Sequence, residues 1–181
     1  MHLQNCILLA TYLWSSVTNC LPKSCDAIDP FKDNNKLETL LQKFDTIVCQ
    51  KGCKPTVSQF KDWGKEALFD PLLSSTMGKM GLPNVPKITS GISTDVTNDL
   101  IDNCAGSMRD QDVCQGSNLD AIGQCLKENM VSVAMNKVEP YSFIVTEDMC
   151  KKAKVYLEGE ELWEQLIPQY FDKYASKCKD L

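Results

Sequence analysis

Ten cysteines in a chain of 181 residues constrain this fold more than any other feature of the sequence. Such a cysteine content is typical of secreted domains, where disulfides supplement the hydrophobic core, whereas cytosolic thiols stay reduced. The cysteines are Cys6, Cys20, Cys25, Cys49, Cys53, Cys104, Cys114, Cys125, Cys150 and Cys178. We therefore expect a disulfide framework and a secreted, extracellular location.

The N-terminal residues have the character of a secretory signal peptide. An apolar run covers 6–14, and neither an acidic residue nor a lysine or arginine precedes Lys23. This run is shorter than the roughly 20 apolar residues that cross a bilayer. No later stretch is apolar enough either, which predicts no stable membrane insertion. The alternative is a buried N-terminal strand or helix.

The number of cysteines distinguishes two cleavage sites. Small residues allow cleavage after Thr18 or after Cys20. Cleavage after Cys20 leaves eight cysteines, an even set that can pair completely, whereas cleavage after Thr18 leaves nine. We therefore expect a signal peptide at 1–20 and a single cysteine-rich domain at 21–181.

Apolar residues recur at helical spacing through most of that domain, which predicts an all-α, disulfide-stapled fold of five to six helices. The predicted helices are 36–50, a helix from Thr56 to Asp70, 95–105, 117–131, 149–157 and 160–178. Residues 71–92 contain prolines and glycines and are predicted to form a long loop. Residues 133–145 are rich in β-branched and aromatic types and are predicted to be extended.

Local signals add detail to these helices. Thr56 and Gln59 match a capping box, Thr146 is a candidate N-cap, and Pro168 is expected to kink the last helix. Cys49 and Cys53 are four residues apart, which predicts that they share one face of a helix. They are then poorly placed to bond each other, and each is expected to bind a different partner.

The mature sequence contains no histidine, because the single one, His2, lies in the predicted signal peptide. This excludes Ser-His-Asp and Cys-His nucleophilic sites and zinc ligation by histidine. Carboxylate catalysis, as in glycosidases, needs no histidine, but no pair of acids stands out for it. We expect a protein that is not an enzyme and that has no cofactor and no metal.

Charge argues against nucleic acid as a partner. The net charge is −5, and Arg109 is the single arginine among 19 basic residues. Recognition of phosphates and bases relies on arginine and on basic patches, and no basic cluster with interleaved aromatic residues occurs. The expected partner is a small hydrophobic ligand or an unknown target protein.

The cysteine spacing carries a family resemblance. From Cys25 to Cys125 it reads C-x23-C-x3-C-x50-C-x9-C-x10-C, which resembles the six-cysteine signature of insect odorant-binding proteins. The family typically has a shorter last spacing, and Cys150 and Cys178 are additional. The resemblance implies a helical pocket for a lipid, odorant or pheromone. It also implies the pairs Cys25–Cys53, Cys49–Cys114 and Cys104–Cys125, which leave Cys150 for Cys178.

The predicted pocket is enclosed by the helices 36–50, 95–105 and 117–131, with the loop Met77–Leu82 at its mouth. Methionine suits adaptable pockets, although ordinary core packing is the alternative for each residue. The candidate pocket residues are Leu41, Phe44, Val48, Met77, Met80, Leu100, Ile122, Leu126 and Met130. The predicted function is a secreted carrier of a small hydrophobic ligand. The alternative is a venom component or effector that acts through protein–protein contacts.

The absence of histidine yields a first prediction. We expect the mature protein to show no protease, lipase or phospholipase turnover, because no imidazole is available as general base or metal ligand. Hydrolysis of generic peptide and ester substrates, followed over hours, measures this. Sustained turnover that one carboxylate-to-amide substitution abolishes would contradict it.

Overall fold

The computed structural model describes residues 21–31, 35–59, 65–66, 70–79 and 86–180, with backbone alone for 86–89. The predicted signal peptide, 1–20, lies outside these residues. The described chain is helical, without a β-strand, which confirms the all-α, disulfide-stapled class. Its helices, numbered in chain order, are α1 (Lys23–Asp26), α2 (Lys36–Phe44, continued by the π-helical turn Asp45–Cys49), α3 (Val57–Gln59), α4 (Asp70–Lys79), α5 (Pro86–Ala105), α6 (Asn118–Val138), α7 (Glu147–Glu158) and α8 (the π-helical turn Glu161–Leu166, continued by Ile167–Ala175).

Two helix starts follow the predicted capping chemistry. At α3, the Gln59 amide donates to Thr56 Oγ1 and the Thr56 amide donates to Gln59 Oε1, both at 3.2 Å. This reciprocal pair is a capping box. At α7, the Met149 amide donates to Thr146 Oγ1 at 3.2 Å. The apolar stripe predicted for this second helix consists of Val57 and three residues that lie outside the described residues: Phe60, Trp63 and Ala67.

The predicted loop over 71–92 is wrong, because α4 and the start of α5 occupy most of it. Both helices contain a proline within their first two residues, Pro71 in α4 and Pro86 in α5. Proline is favoured there, since its fixed φ suits a helix and its missing N–H would have no helical partner. The Ser93 hydroxyl then links the two helices by donating to Asp70 Oδ1 at 2.8 Å.

The predicted extended segment at 133–145 is also wrong. Helix α6 continues through Val138, and a 3₁₀ turn, Glu139–Ile144, follows it. Val133 is buried on α6, so packing overrides the weak preference of a β-branched residue for a strand. Pro168 was expected to kink the last helix. In α8, the π-helical turn ends at Leu166 and the α-helical part begins at Ile167, one residue before the proline.

Among the described residues, two hydrophobic clusters account for much of the core. The first has Phe31, Leu37, Leu162 and Trp163 at its centre, and the rings of Phe31 and Trp163 meet edge to face at 5.3 Å. The Trp163 Nε1–H donates to the Leu157 carbonyl at 2.7 Å, so the buried indole is satisfied.

The second cluster lies where α2 meets α8. Val48, Cys53 and Tyr174 are its buried members. Phe44 and Phe171 pack against this cluster, and their two rings meet edge to face with centroids 5.1 Å apart. Burial raises the pKa of the Tyr174 hydroxyl, with a smaller contribution from Asp112. The ends of α2 and α8 are therefore joined by a continuous apolar contact.

Four disulfides pair all eight cysteines of the predicted mature domain. They are Cys25–Cys150, Cys49–Cys114, Cys53–Cys178 and Cys104–Cys125, with Cα–Cα distances of 5.0, 5.4, 5.6 and 5.4 Å. Two of the pairs implied by the family resemblance are present. The other two, Cys25–Cys53 and Cys150–Cys178, are corrected: each of these cysteines bonds across the domain, at a sequence separation of 125.

Cys49 and Cys53 do not share a helix face, contrary to the prediction from their spacing. Cys49 is the last residue of the π-helical turn that ends α2, and Cys53 lies beyond that helix. Gly52, between them, has φ +82°, a conformation that glycine adopts without steric cost. Their expected difference in partners does hold, since they bind Cys114 and Cys178.

The pairing predicts a peptide map. Digestion after lysine, without reduction, should link peptide 24–32 to peptide 138–151 through Cys25 and Cys150, because lysines flank both. With a protease that does not cleave before Pro55, it should also link peptide 52–61 to the dipeptide 178–179 through Cys53 and Cys178. Mass spectrometry identifies both products. A bond between peptides 24–32 and 52–61, as the family resemblance implies, would contradict this framework.

The core predicts a matched pair of phenylalanine variants. Phe31, 3% exposed, fills the first cluster, whereas Phe143 is 80% exposed. We expect Phe31→Ala to lower the free energy of unfolding by about 3–5 kcal/mol and Phe143→Ala to change it by less than about 0.5 kcal/mol. Denaturant unfolding of both variants measures this. Equal losses would contradict the placement of Phe31.

Candidate functional site

The predicted pocket residues do not gather around one cavity in the described part of the structure. Leu41, Leu126 and Met130 pack against the first core cluster, and Phe44 packs against the second. Val48 belongs to the second cluster itself and is 0% exposed. Their side chains are therefore in contact with other core residues.

The remaining candidate pocket residues lie outside the two core clusters or outside the described residues. Met77, Leu100 and Ile122 are half-buried and belong to neither core cluster. Met80 and half of the predicted mouth, Met77–Leu82, lie outside the described residues. The apolar faces of α2 and α6 thus serve the core, and the depressions that the described residues form lie at the surface.

The first depression, here the α1–α6 cleft, lies between α1 and the C-terminal part of α6. Its volume is about 220 Å³, and most of its lining side chains are apolar. The lining residues are Leu21, Cys25, Asp26, Ile28, Val131, Met135, Asn136 and Glu139. The Cys25–Cys150 bridge places α1 against α7 at this end of the domain.

The polar groups of the α1–α6 cleft are two carboxylates and one amide. Asp26 ends α1, Glu139 follows α6, and Asn136 lies in the last turn of α6. Among the described residues, neither carboxylate forms a side-chain hydrogen bond or ion pair. Nearby lysines are engaged elsewhere: Lys137 Nζ lies 2.7 Å from Asp99 Oδ2, and Lys154 is paired with Glu158. The lining of the cleft therefore combines apolar side chains with two carboxylates and one amide.

The second depression, here the α2–α6 groove, is larger and more polar. Its volume is about 530 Å³. It is lined by Glu38, Leu41, Gln42, Asp45, Thr46, Cys114, Gly116, Leu119 and Asp120. A hydrogen bond from Lys127 is the main cause that lowers the pKa of the Glu38 carboxyl. Asp45 accepts a hydrogen bond from Gln50 Nε2 at 2.8 Å.

A close approach of two helices underlies the α2–α6 groove. Gly123 is buried on α6, and a β-carbon at this position would overlap Leu41 Cδ1 of α2. The glycine therefore lets the Leu41 side chain lie directly against the α6 backbone. The sequence signal for this contact was a glycine inside a helical pattern, which often marks a packing requirement.

The lining of the α1–α6 cleft was missed from the sequence. Residues 25–35 were interpreted as a loop or a short helix and 133–145 as extended, and no candidate pocket residue was assigned to either segment. The cleft forms because α6 continues as a helix past Val131 and because Cys25 bonds to Cys150. The second condition could not be read from spacing, since eight cysteines allow 105 pairings.

The described residues limit the chemistry available. They contain no group of three or more His, Cys, Asp or Glu side chains placed to hold a metal ion. None of the described helices combines the length and apolar character needed to cross a bilayer. Cys25, the one sulfur of the α1–α6 cleft besides Met135, is oxidised and is not a nucleophile.

Comparisons of the chain with protein-family models, with curated proteins and with solved structures found no match. The resemblance to insect odorant-binding proteins therefore stays a prediction. Its cysteine pairing agrees with the structure at Cys49–Cys114 and Cys104–Cys125 and differs at the two bridges that close the domain.

Proposed function

We propose that this chain is a secreted carrier, not an enzyme, that binds a small hydrophobic ligand in the α1–α6 cleft. The observation that carries the proposal is the set of apolar side chains in the lining of this cleft: Leu21, Ile28, Val131 and Met135. Burial of apolar ligand surface there gains roughly 25 cal/mol per Å². The four disulfides support secretion, because such frameworks persist in oxidising compartments.

The volume of the cleft sets the size of the ligand. A dry cavity of about 150 Å³ in another protein holds benzene, and drug-sized ligands occupy roughly 300–1,000 Å³. A cleft of about 220 Å³ suits one ring or a short alkyl chain. A long-chain lipid would have to extend into solvent. We therefore expect compact ligands to have a more favourable binding free energy per non-hydrogen atom.

A second candidate function is recognition of a partner protein through the α2–α6 groove. The observation that favours it is the acidic lining of a depression of about 530 Å³, in which Glu38, Asp45 and Asp120 accompany Leu41 and Leu119. Complementary charge directs association and specificity. The expected partner segment is basic and carries one or two apolar side chains.

Binding of a neutral fluorescent naphthalene probe tests the carrier proposal. We expect saturable binding at one site per molecule. Met135→Trp should weaken it at least tenfold, because the indole would fill the α1–α6 cleft without disturbing either core cluster. Fluorescence titration measures the affinity, and circular dichroism checks that the variant is folded.

Met77→Trp is the matched control, since it makes the same change at a half-buried methionine outside the cleft. It should leave the probe affinity unchanged. Loss of binding in Met77→Trp alone would move the site to the pocket predicted from the sequence. No saturable binding in the wild-type protein would reject the carrier function and favour recognition through the α2–α6 groove.

A further inference from the structure

We infer that the Cys49–Cys114 bridge is a site of thiol–disulfide exchange: a low-molecular-weight thiol opens it before the other three bridges and thereby loosens one wall of the α2–α6 groove. The inference goes beyond the proposed carrier function, since it needs no ligand in the α1–α6 cleft. It follows from the juxtaposition of a bridge whose two cysteines are both half-buried with the groove that Cys114 lines.

The exposure of the cysteines distinguishes this bridge from the others. Exchange needs one accessible sulfur that receives the attacking thiolate and one sulfur that leaves as a thiolate, which burial in apolar surroundings disfavours. Of the four described bridges, Cys49–Cys114 is the one in which both cysteines are half-buried. Each of the others contains at least one buried cysteine, with these exposed fractions: Cys25 3%, Cys150 4%, Cys53 4% and Cys104 8%.

The α2–α6 groove gives a small thiol access to Cys114. The volume of the groove is about 530 Å³, and Cys114 carries the one sulfur among its lining residues. The α1–α6 cleft touches a bridge as well, but both of its cysteines, Cys25 and Cys150, are buried. Cys114 Sγ is therefore the attacked atom, and Cys49 Sγ is the leaving group.

The exchange proceeds in two steps. The thiolate of the small thiol attacks Cys114 Sγ, the bond between the two cysteine sulfurs breaks, and Cys49 Sγ leaves with the electron pair and takes a proton from water. The product is a mixed disulfide on Cys114. A second thiolate attacks the sulfur of the small thiol in this mixed disulfide and releases Cys114 as a thiol. The protein bridge is thereby reduced by two electrons, and two small thiols are oxidised to one disulfide.

Opening the bridge releases one wall of the α2–α6 groove. Cys114 and Gly116 belong to a segment of turns, 109–117, that precedes α6. The bond to Cys49 fastens this segment to the end of α2, whose residues line the groove as well. Reduction removes this covalent link, so we expect the segment to become more mobile and the groove to lose its fixed shape.

Other contacts keep the rest of the domain folded. The Ser58 amide donates to the Arg109 carbonyl at 3.0 Å, and the Val113 amide donates to the Pro55 carbonyl at 2.8 Å. These bonds hold the first part of the segment to the residues around α3. The two bridges that span 125 residues remain closed. The effect of reduction is therefore expected to stay local.

Timed reduction of the mature protein with 2-mercaptoethanol tests the inference. Samples are blocked with N-ethylmaleimide, and mass spectrometry of their peptides identifies the labelled cysteines. We expect Cys49 and Cys114 to react at least about fivefold faster than any other pair, because both of their sulfurs are half-buried. At early times the mixed disulfide with 2-mercaptoethanol should lie on Cys114.

Hydrogen exchange of the backbone amides tests the loosening of the groove. The double variant Cys49→Ala/Cys114→Ala should exchange faster over 109–117 and at the wild-type rate over α7. The wild-type protein alkylated at these two cysteines gives the same comparison if the variant does not fold. Cys104→Ala/Cys125→Ala is the matched control: it removes a different bridge and should keep the rapid reduction of Cys49–Cys114.

Three outcomes would overturn the inference. Another bridge could open first, or all four could open together, and either result would reject selective exchange at Cys49–Cys114. Unchanged hydrogen exchange over 109–117 after selective opening would reject the loosening of the groove. Binding of the naphthalene probe bears on the carrier function alone, so the two proposals can fail separately.

Discussion

Two disulfides that each span 125 residues close this domain, and the remaining contacts depend on that closure. Cys25–Cys150 fastens the N-terminal helix α1 to α7, and Cys53–Cys178 fastens the segment after α2 to the end of α8. In the chain-entropy model, a bridge across so long a loop removes about 5 kcal/mol of conformational freedom from the unfolded chain. Helix α1 needs this support, because a helix of four residues does not form by itself.

The conformation of the turn after α2 determines the directions in which two of the four disulfides leave it. Gly52, at φ +82°, ends the run of helical residues, so Cys49 and Cys53 leave the turn in different directions. Cys49 reaches Cys114 and Cys53 reaches Cys178. The second core cluster forms around this point, with Val48 fully buried. A single glycine conformation thereby fixes where α2, the 109–117 loop and α8 meet.

The sequence predicted the elements whose signals are local. The apolar stripe of α2, the capping box at Thr56 and the N-cap at Thr146 each depend on residues within one or two helical turns, and the structure confirms them. Pro71 was misread because proline stops a helix in its interior but favours its first turn, and only the flanking conformation distinguishes the two.

Prediction from the sequence failed for features that depend on contacts between residues distant in the chain. Seven of the nine predicted pocket residues lie on predicted helices and satisfy helical periodicity, but periodicity identifies only an inward face and does not distinguish a packed core from a cavity. Val48 and Phe44 face inward and meet Tyr174 and Phe171, from the other end of the chain. The lining of the α1–α6 cleft depends in turn on the Cys25–Cys150 bond, which no local pattern specifies.

The residues that line the α1–α6 cleft are largely separate from those that form the core clusters. Asp26, Met135, Asn136 and Glu139 belong to neither core cluster, and of the lining residues only Val131 packs against one. The cleft is held in shape by a covalent bond on one side and by the long helix α6 on the other. Because neither support uses the polar side chains of the lining, substitutions among these residues are expected to leave the core and the disulfide framework intact.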